Sequence, residues 1–374
     1  MIPGPVELSP EVLLEMAKPL IGHRTPEFDE ILLQCWRDMK EILQTKNDVV
    51  LITGSGTAGM DAAIASTIEE GNEFVCVTGG KFGERMLEIV KSYGGKAREV
   101  NVEWGRAADP VEVEKVVAES DAKAITLTHN ETSTGVLHDA QAIGKIAKEH
   151  GLLFIMDAIT SAGGDYVKVD EWGVDICIAG SQKCLAAPPG LAMLSVSDKA
   201  WEVIHKNKTK NFYLNLASYH DSMEKNTTPF TPSVTLVYGL SKALRAIMEE
   251  GLENRIRRHR GLAKATREAA KAMDLELFAD ESHASNTVTA IRIPKGLTDD
   301  DVRGEMKRRY GILIAGGQAH VKGKIFRIGH MGNAGYLELM SVLSALELVL
   351  KRAGHAFELG RGIKAAQEVF SEIP

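Results

Sequence analysis

Between residues 48 and 200 the chain switches repeatedly between short apolar runs and helical periodicity, and this alternation constrains its fold more than any other feature. The runs fall at 49–53, 74–78, 124–128, 152–156, 174–180 and 191–196, and the first three precede helical patterns at 57–68, 83–93 and 139–150. Runs without polar alternation fit strands buried on both faces. Strand and helix in alternation then predict a mostly parallel sheet covered by helices. Ligands of such sheets bind beyond the carboxyl ends of the strands, and the polar residues of this segment collect at those ends.

A second pattern begins after Thr231. Residues 234–249 and 252–273 predict long helices broken near Glu250 and Gly251. Strands are expected at 287–293, 311–315 and 324–328, with helices at 299–310 and 335–352. Helices on one side of a small sheet make an α+β unit. At 374 residues the chain is too long for one simple core. The expected division is an N-terminal segment over 1–20, a large domain over 21–251 and a smaller C-terminal domain over 252–374.

A net charge of −7 argues against a nucleic-acid partner, whose binding surface would be basic. No apolar stretch approaches the roughly 20 residues needed to span a bilayer, so no membrane partner is expected. The first residues lack the basic and apolar regions of a signal peptide, and a cytoplasmic enzyme is the expectation. Cys35, Cys76, Cys177 and Cys184 show no metal-ligand spacing. Cys76 and Cys177 lie in apolar runs as small hydrophobes. Cys184 also favours a packing role, though its position beside Lys183 makes it the one to test for reactivity.

The chemistry centres on Lys183. It follows the apolar run at 174–180 and precedes Pro188, Pro189 and Gly190, so an amine stands at a strand's end among mostly uncharged residues in a stiffened loop. Poor hydration lowers a lysine's pKa and favours Schiff-base chemistry; a solvated loop lysine is the ordinary alternative. One strand earlier, the run at 152–156 ends in Asp157. A lysine and an aspartate at successive strand ends suit pyridoxal phosphate, whose aldehyde needs an amine and whose pyridine nitrogen needs an anion. Asp157 as a helix cap is the competing reading, and the residues after it make a poor helix.

Gly54-Ser55-Gly56-Thr57-Ala58-Gly59 follows a strand and opens a helix, where free amides and the helix dipole receive a phosphate. It matches a dinucleotide fingerprint, but the next strand ends in Thr78-Gly79-Gly80 with no acid for a ribose. It also lacks the lysine of a P-loop. An isolated phosphate group remains, beside the alternative of a plain turn. Phe82 is a candidate to stack on a ring, with a core position as the usual outcome. The segment from His129 to Gly135 reads either as a hydrogen-bonding edge or as a polar turn. Arg327 sits among Ile325, Phe326 and Ile328, where a guanidinium is costly unless paired; a substrate carboxylate and a structural salt bridge both fit.

Together these segments resemble the class V aminotransferases of the pyridoxal-phosphate fold-type I superfamily, and within them the alanine–glyoxylate / serine–pyruvate aminotransferase family. The resemblance runs from Pro3-Gly4-Pro5 to the final helix, and its most specific pieces are 132–137, 180–183 with 187–190, and 327–329. It implies that Lys183 holds the cofactor as a Schiff base and that Asp157 pairs with the pyridine nitrogen. It implies phosphate contacts from Ser55, Gly56, Thr57 and Gln182, a hydrogen bond from Thr132 to the ring hydroxyl, and packing of Phe82 and Ile159 on the ring. Arg327 would take the substrate carboxylate, with Gly22, His23 and Arg24 bordering the pocket. Thr231 matches a position that reaches the neighbouring subunit's phosphate, implying a homodimer with active sites shared at the interface.

Three positions depart from the animal members: Phe82 stands for a tryptophan, Thr57 for a histidine, and Thr228 for a tyrosine. The activity implied is transfer of an amino group from alanine or serine to glyoxylate or pyruvate. Aspartate, aminoethylphosphonate or ureidoglycine are alternative donors. A cysteine desulfurase reading is poor, because no cysteine follows Cys184.

Overall fold

The computed structural model describes residues 1–209 and 211–372. Its centre is a seven-stranded sheet of β1 (Asp48–Thr53), β2 (Glu73–Thr78), β3 (Lys96–Asn101), β4 (Ala124–Thr128), β7 (Leu153–Asp157), β8 (Ile176–Gly180) and β9 (Leu191–Val196). The order across the sheet is β1-β9-β8-β7-β4-β2-β3. All pairings are parallel except those of β9, which runs antiparallel to both β1 and β8. The short strands β5 (Asn130–Glu131) and β6 (Val136–Leu137) form a separate hairpin beyond β4.

The apolar runs are explained by the two faces of this sheet. Side chains alternate across a strand, so Phe154 and Met156 enter one hydrophobic core while Leu153 and Ile155 enter the other. Cys177 and Ala179 divide from Ile176 and Ile178 in the same way. Each face is covered by helices, so neither set can be polar.

β3 escaped the sequence reading because it is an edge strand of mixed character, exposed at Lys96, Glu99 and Asn101. The reading also omitted the helix Pro26–Leu43. That helix buries Phe28, Leu32, Cys35, Trp36, Met39, Ile42 and Leu43 as one stripe against the sheet.

A three-stranded antiparallel sheet follows, β10 (Val288–Arg292), β12 (Ile325–Gly329) and β11 (Ala315–Gly316), in that order. It is packed by the helices Leu252–Ala272, Tyr336–Arg352 and Arg361–Glu372 around a third core. The strand expected at 311–315 is reduced to Ala315 and Gly316. Gly311 takes a left-handed φ of 67° and ends the preceding helix, and the Ile312 N–H turns back to the Met306 carbonyl. The chain cannot extend until that cap is complete.

Alternation places Arg327 as well. Phe326 and Ile328 face the third core, whereas Ile325 packs with Ala290 and Val321 on the opposite face. Arg327 shares neither the Phe326 face nor its helices, and it reaches across to the turn of the β5–β6 hairpin at Thr132.

Candidate active site

Register brings the polar strand ends together. Thr128 pairs with Asp157 and Asp157 with Ile178, so β4 and β7 end side by side and β8 runs on to Gly180 beside them. The Gly54 N–H donates to the Gly190 carbonyl, holding the turn after β1 against the loop that follows Lys183. One cavity of about 160 Å³ opens here, lined by Ser55, Gly56, Thr57, Phe82, Asp157, Ile159, Gln182 and Lys183, with Arg85, Asn130 and Thr160.

Lys183 is part-buried, and its Nζ donates to the Pro3 carbonyl at 2.6 Å. Burial lowers its pKa, and the nearby charges of Arg327 and Arg85 act in the same direction. The loop is fixed from behind by Arg255, itself 3% exposed. That guanidinium donates to the carbonyls of Cys184 (2.7 Å) and Gly163 (3.1 Å) and pairs with Glu250. Cys184 is fully buried and burial pushes its thiol up to about 12, which makes it a packing residue, not a nucleophile.

Asp157 Oδ1 accepts the Ile159 N–H at 2.9 Å. Burial raises its carboxyl to about 7; that amide opposes the shift, and Glu131 adds to it. Residues 158–164 form turns, not a helix, so Asp157 caps no helix. Ile159 packs directly against Gly56 and Gly180, where any Cβ would meet it within 3 Å.

The turn Gly54-Ser55 leads into the helix Gly56–Thr67, whose first amides have no acceptor within the helix. Ser55 and Thr57 are exposed at its mouth. Gln182 Oε1 is buried without a partner among the described residues. A side-chain amide can flip, so it offers a ligand either a donor or an acceptor.

Phe82 stands on the second residue of the helix Lys81–Ser92. That helix has no cap from its own Gly80; Glu131, fully buried, accepts the Phe82 and Gly83 N–H groups at 2.9 and 3.1 Å. Its other oxygen takes the Ser133 N–H and hydroxyl.

Arg327 adjoins the cavity without lining it. Nε and Nη2 donate to the Gly316 carbonyl (3.0 and 2.7 Å), and Nη1 to the Thr132 carbonyl (2.7 Å). No carboxylate pairs with it among the described residues, which removes the structural salt-bridge reading. Burial brings its pKa down to about 10, and it stays cationic at neutral pH. Thr132 thus meets Arg327 through its backbone.

The remaining expected residues lie apart from this cavity. Gly22 and Arg24 are exposed, and Thr231 Oγ1 lies 3.4 Å from His23 Nε2. Thr228 is buried and donates to the Phe230 carbonyl of its own chain. Sequence reasoning missed Arg85, the capping role of Glu131 and the Pro3 carbonyl. Their partners are distant in the chain, and no local spacing announces them.

An amine, a buried carboxylate, an aromatic ring and an open helix N-terminus around one cavity fit a phosphorylated pyridine aldehyde. These are the features of a pyridoxal-phosphate enzyme of fold type I. The chain belongs to the class V aminotransferases, whose family model (Aminotransferase class-V) matches residues 17–332. It is 50% identical to an uncharacterised aminotransferase of Methanocaldococcus jannaschii, over 99% of this chain and 96% of that one. It is 33% identical to a serine–glyoxylate aminotransferase of Arabidopsis thaliana, over 98% and 93%. The crystal structure of ureidoglycine–glyoxylate aminotransferase from Bacillus subtilis superposes with a TM-score of 0.96 at 36% identity, covering 99% of this chain and 97% of that one. The protein is therefore a pyridoxal-phosphate-dependent transaminase.

Proposed function

We propose that this enzyme moves an amino group from a small amino acid, alanine or serine, to a small 2-oxo acid, glyoxylate or pyruvate. The observation that carries this reading is Arg327. Among the described residues it is a buried guanidinium held only by backbone carbonyls beside the Lys183 cavity. One cation free of carboxylate partners suits a substrate with one carboxylate. Glyoxylate also stands in the names of the Arabidopsis and Bacillus relatives. The alternative is another donor, aspartate, aminoethylphosphonate or ureidoglycine, and the Bacillus name favours the last of these.

When bound, pyridoxal phosphate supplies an electron sink for the carbanion at the substrate's α-carbon. In this reading Lys183 supplies the amine that holds the cofactor and then carries the proton to and from the substrate carbon. Burial lowers its pKa, which favours the neutral amine this use needs. Asp157 keeps the ring nitrogen protonated, and Phe82 and Ile159 hold the ring between them. Ser55, Gly56, Thr57 and Gln182 receive the phosphate, and Thr132 the ring hydroxyl.

The reading includes a large cofactor-binding domain over 21–251 and a small domain over 252–374, supported by the separate third core. It also includes a homodimer in which Thr231 reaches the partner's phosphate and Gly22, His23 and Arg24 border the pocket. Two features support the dimer. Thr231 is exposed, and beside it Phe212, 81% exposed, and Tyr213 pack on Phe230 as an uncovered aromatic cluster. Four free cysteines fit a reducing, cytoplasmic setting.

Single-turnover absorbance spectra with alanine, serine, aspartate, ureidoglycine and aminoethylphosphonate test the substrate. The fastest conversion of the bound cofactor is expected with alanine or serine, and a clear preference for one of the others overturns that choice. Lys183→Ala is expected to lose both the covalently held cofactor and turnover; a fully active variant would end the proposal.

A further inference from the structure

We propose that Arg85 is a cofactor-positioning residue that recognises the phosphate dianion through Thr57. This inference rests on reading the Lys183 cavity as the pyridoxal-phosphate site. Arg85 lies on the helix Lys81–Ser92, three residues after Phe82, and lines the same cavity. Its Nη1 donates to Thr57 Oγ1 at 3.1 Å, and its guanidinium carbon lies 4.8 Å from the centre of the Phe82 ring. The acids nearest in sequence are engaged elsewhere: Lys81 takes Glu84 at 3.0 Å and Glu88 at 3.8 Å. No carboxylate pairs with Arg85 among the described residues.

Among the described residues this is a cation with four of its five N–H donors uncommitted, facing an open helix N-terminus. Because the Thr57 oxygen accepts from Arg85, its own hydrogen is free to donate elsewhere, and the helix mouth is where it is exposed. The arrangement adds a charge and fixes a hydroxyl where the helix dipole already favours an anion. It also answers the departure at Thr57. A hydroxyl alone brings no charge to this position, and the neighbouring guanidinium supplies one. Over the Phe82 ring the same group makes a cation–π contact, so the phosphate end and the ring wall of the site share one support.

The two duties separate by experiment. Dissociation constants for pyridoxal phosphate and for unphosphorylated pyridoxal are measured on cofactor-free wild type, Arg85→Met and Arg85→Lys. Arg85→Met is expected to weaken pyridoxal phosphate about 10-fold, the size of a part-exposed charge-assisted contact, with pyridoxal changed less than about two-fold. Arg85→Lys is expected to recover part of the loss. The phosphorus NMR signal of the bound cofactor should stay that of the dianion from about pH 6 to 9 in wild type and titrate upward in Arg85→Met, since a phosphate's second pKa is about 6. Equal weakening of both ligands would reduce Arg85 to a support for Phe82 and overturn the phosphate role, as would no change in either. Failure of the wild type to bind either ligand would refute the reading of the cavity itself.

Discussion

Replacing Glu131 by glutamine isolates how the ring wall of the site is held. The carboxylate accepts two backbone amides at the start of the Phe82 helix through one oxygen, and the Ser133 amide and hydroxyl through the other. Glutamine preserves the shape but has only one acceptor oxygen. In its better orientation the oxygen keeps Phe82 and Gly83 while the amide nitrogen turns to Ser133, whose hydroxyl can rotate to accept. The Ser133 N–H is then orphaned, at a cost of about 1–3 kcal/mol. The two amides that remain also lose charge assistance, and the helix loses an anion at its positive end, about 0.3–1 kcal/mol. Against this, burial raises the pKa of Glu131, so a neutral group recovers part of the desolvation cost. The expected net loss is about 2–4 kcal/mol. Urea unfolding of the cofactor-free protein measures it, as a lower midpoint at unchanged slope, and pyridoxal binding should weaken in parallel because Phe82 is released. A loss under about 1 kcal/mol would show that the hydrogen bonds only offset the burial of the charge, and the reasoning would fail.

Asp157 gives a pH signature. Its carboxyl is raised to about 7 in the cofactor-free chain, so its contribution to stability is fully present below its unfolded pKa, near 4, and is lost as pH rises through about 7. Asp157→Asn should therefore flatten the fall in the cofactor-free protein's Tm over that window; a uniform offset at every pH would contradict the assignment. Gly4 has a φ of +91°, and a methyl there would stand 2.6 Å from Lys183 Nζ and 2.9 Å from Cε. Gly4→Ala is expected to cut the absorbance of the lysine-bound cofactor more than its backbone cost of about 1 kcal/mol alone explains, and unchanged absorbance would show that the strap moves aside freely. Arg327→Lys loses the planar fork that spans Gly316 and Thr132, so KM for the amino donor should rise about 10-fold or more; an unchanged KM would remove Arg327 from substrate binding.

Most of the large sheet could be read from the chain because its strands are buried on both faces. Continuous apolar runs such as Leu153 to Met156 have no other economical explanation once helices cover both sides. Where burial is one-sided or partial, the signal failed. β3 is polar on an edge, and β11 shrank to two residues because Gly311 and Ile312 complete a helix cap. The site divides along the same line. Lys183, Asp157 and the Ser55–Thr57 turn announced themselves at strand ends, where position in the chain already implies position in space.

Glu131, Arg85 and Pro3 did not, since each acts on a partner dozens or hundreds of residues away. The local sequence determined which groups stand at the carboxyl edge, because strand period and strand end are local properties. Tertiary structure alone decided which of them meet. The register of Thr128 and Asp157 aligned two strand ends beside β8, the alternation of β12 turned Arg327 away from its helices, and the N-terminal strap brought the Pro3 carbonyl onto the Lys183 amine. Contacts of that kind depend on how separate elements pack, and no spacing within one element encodes them.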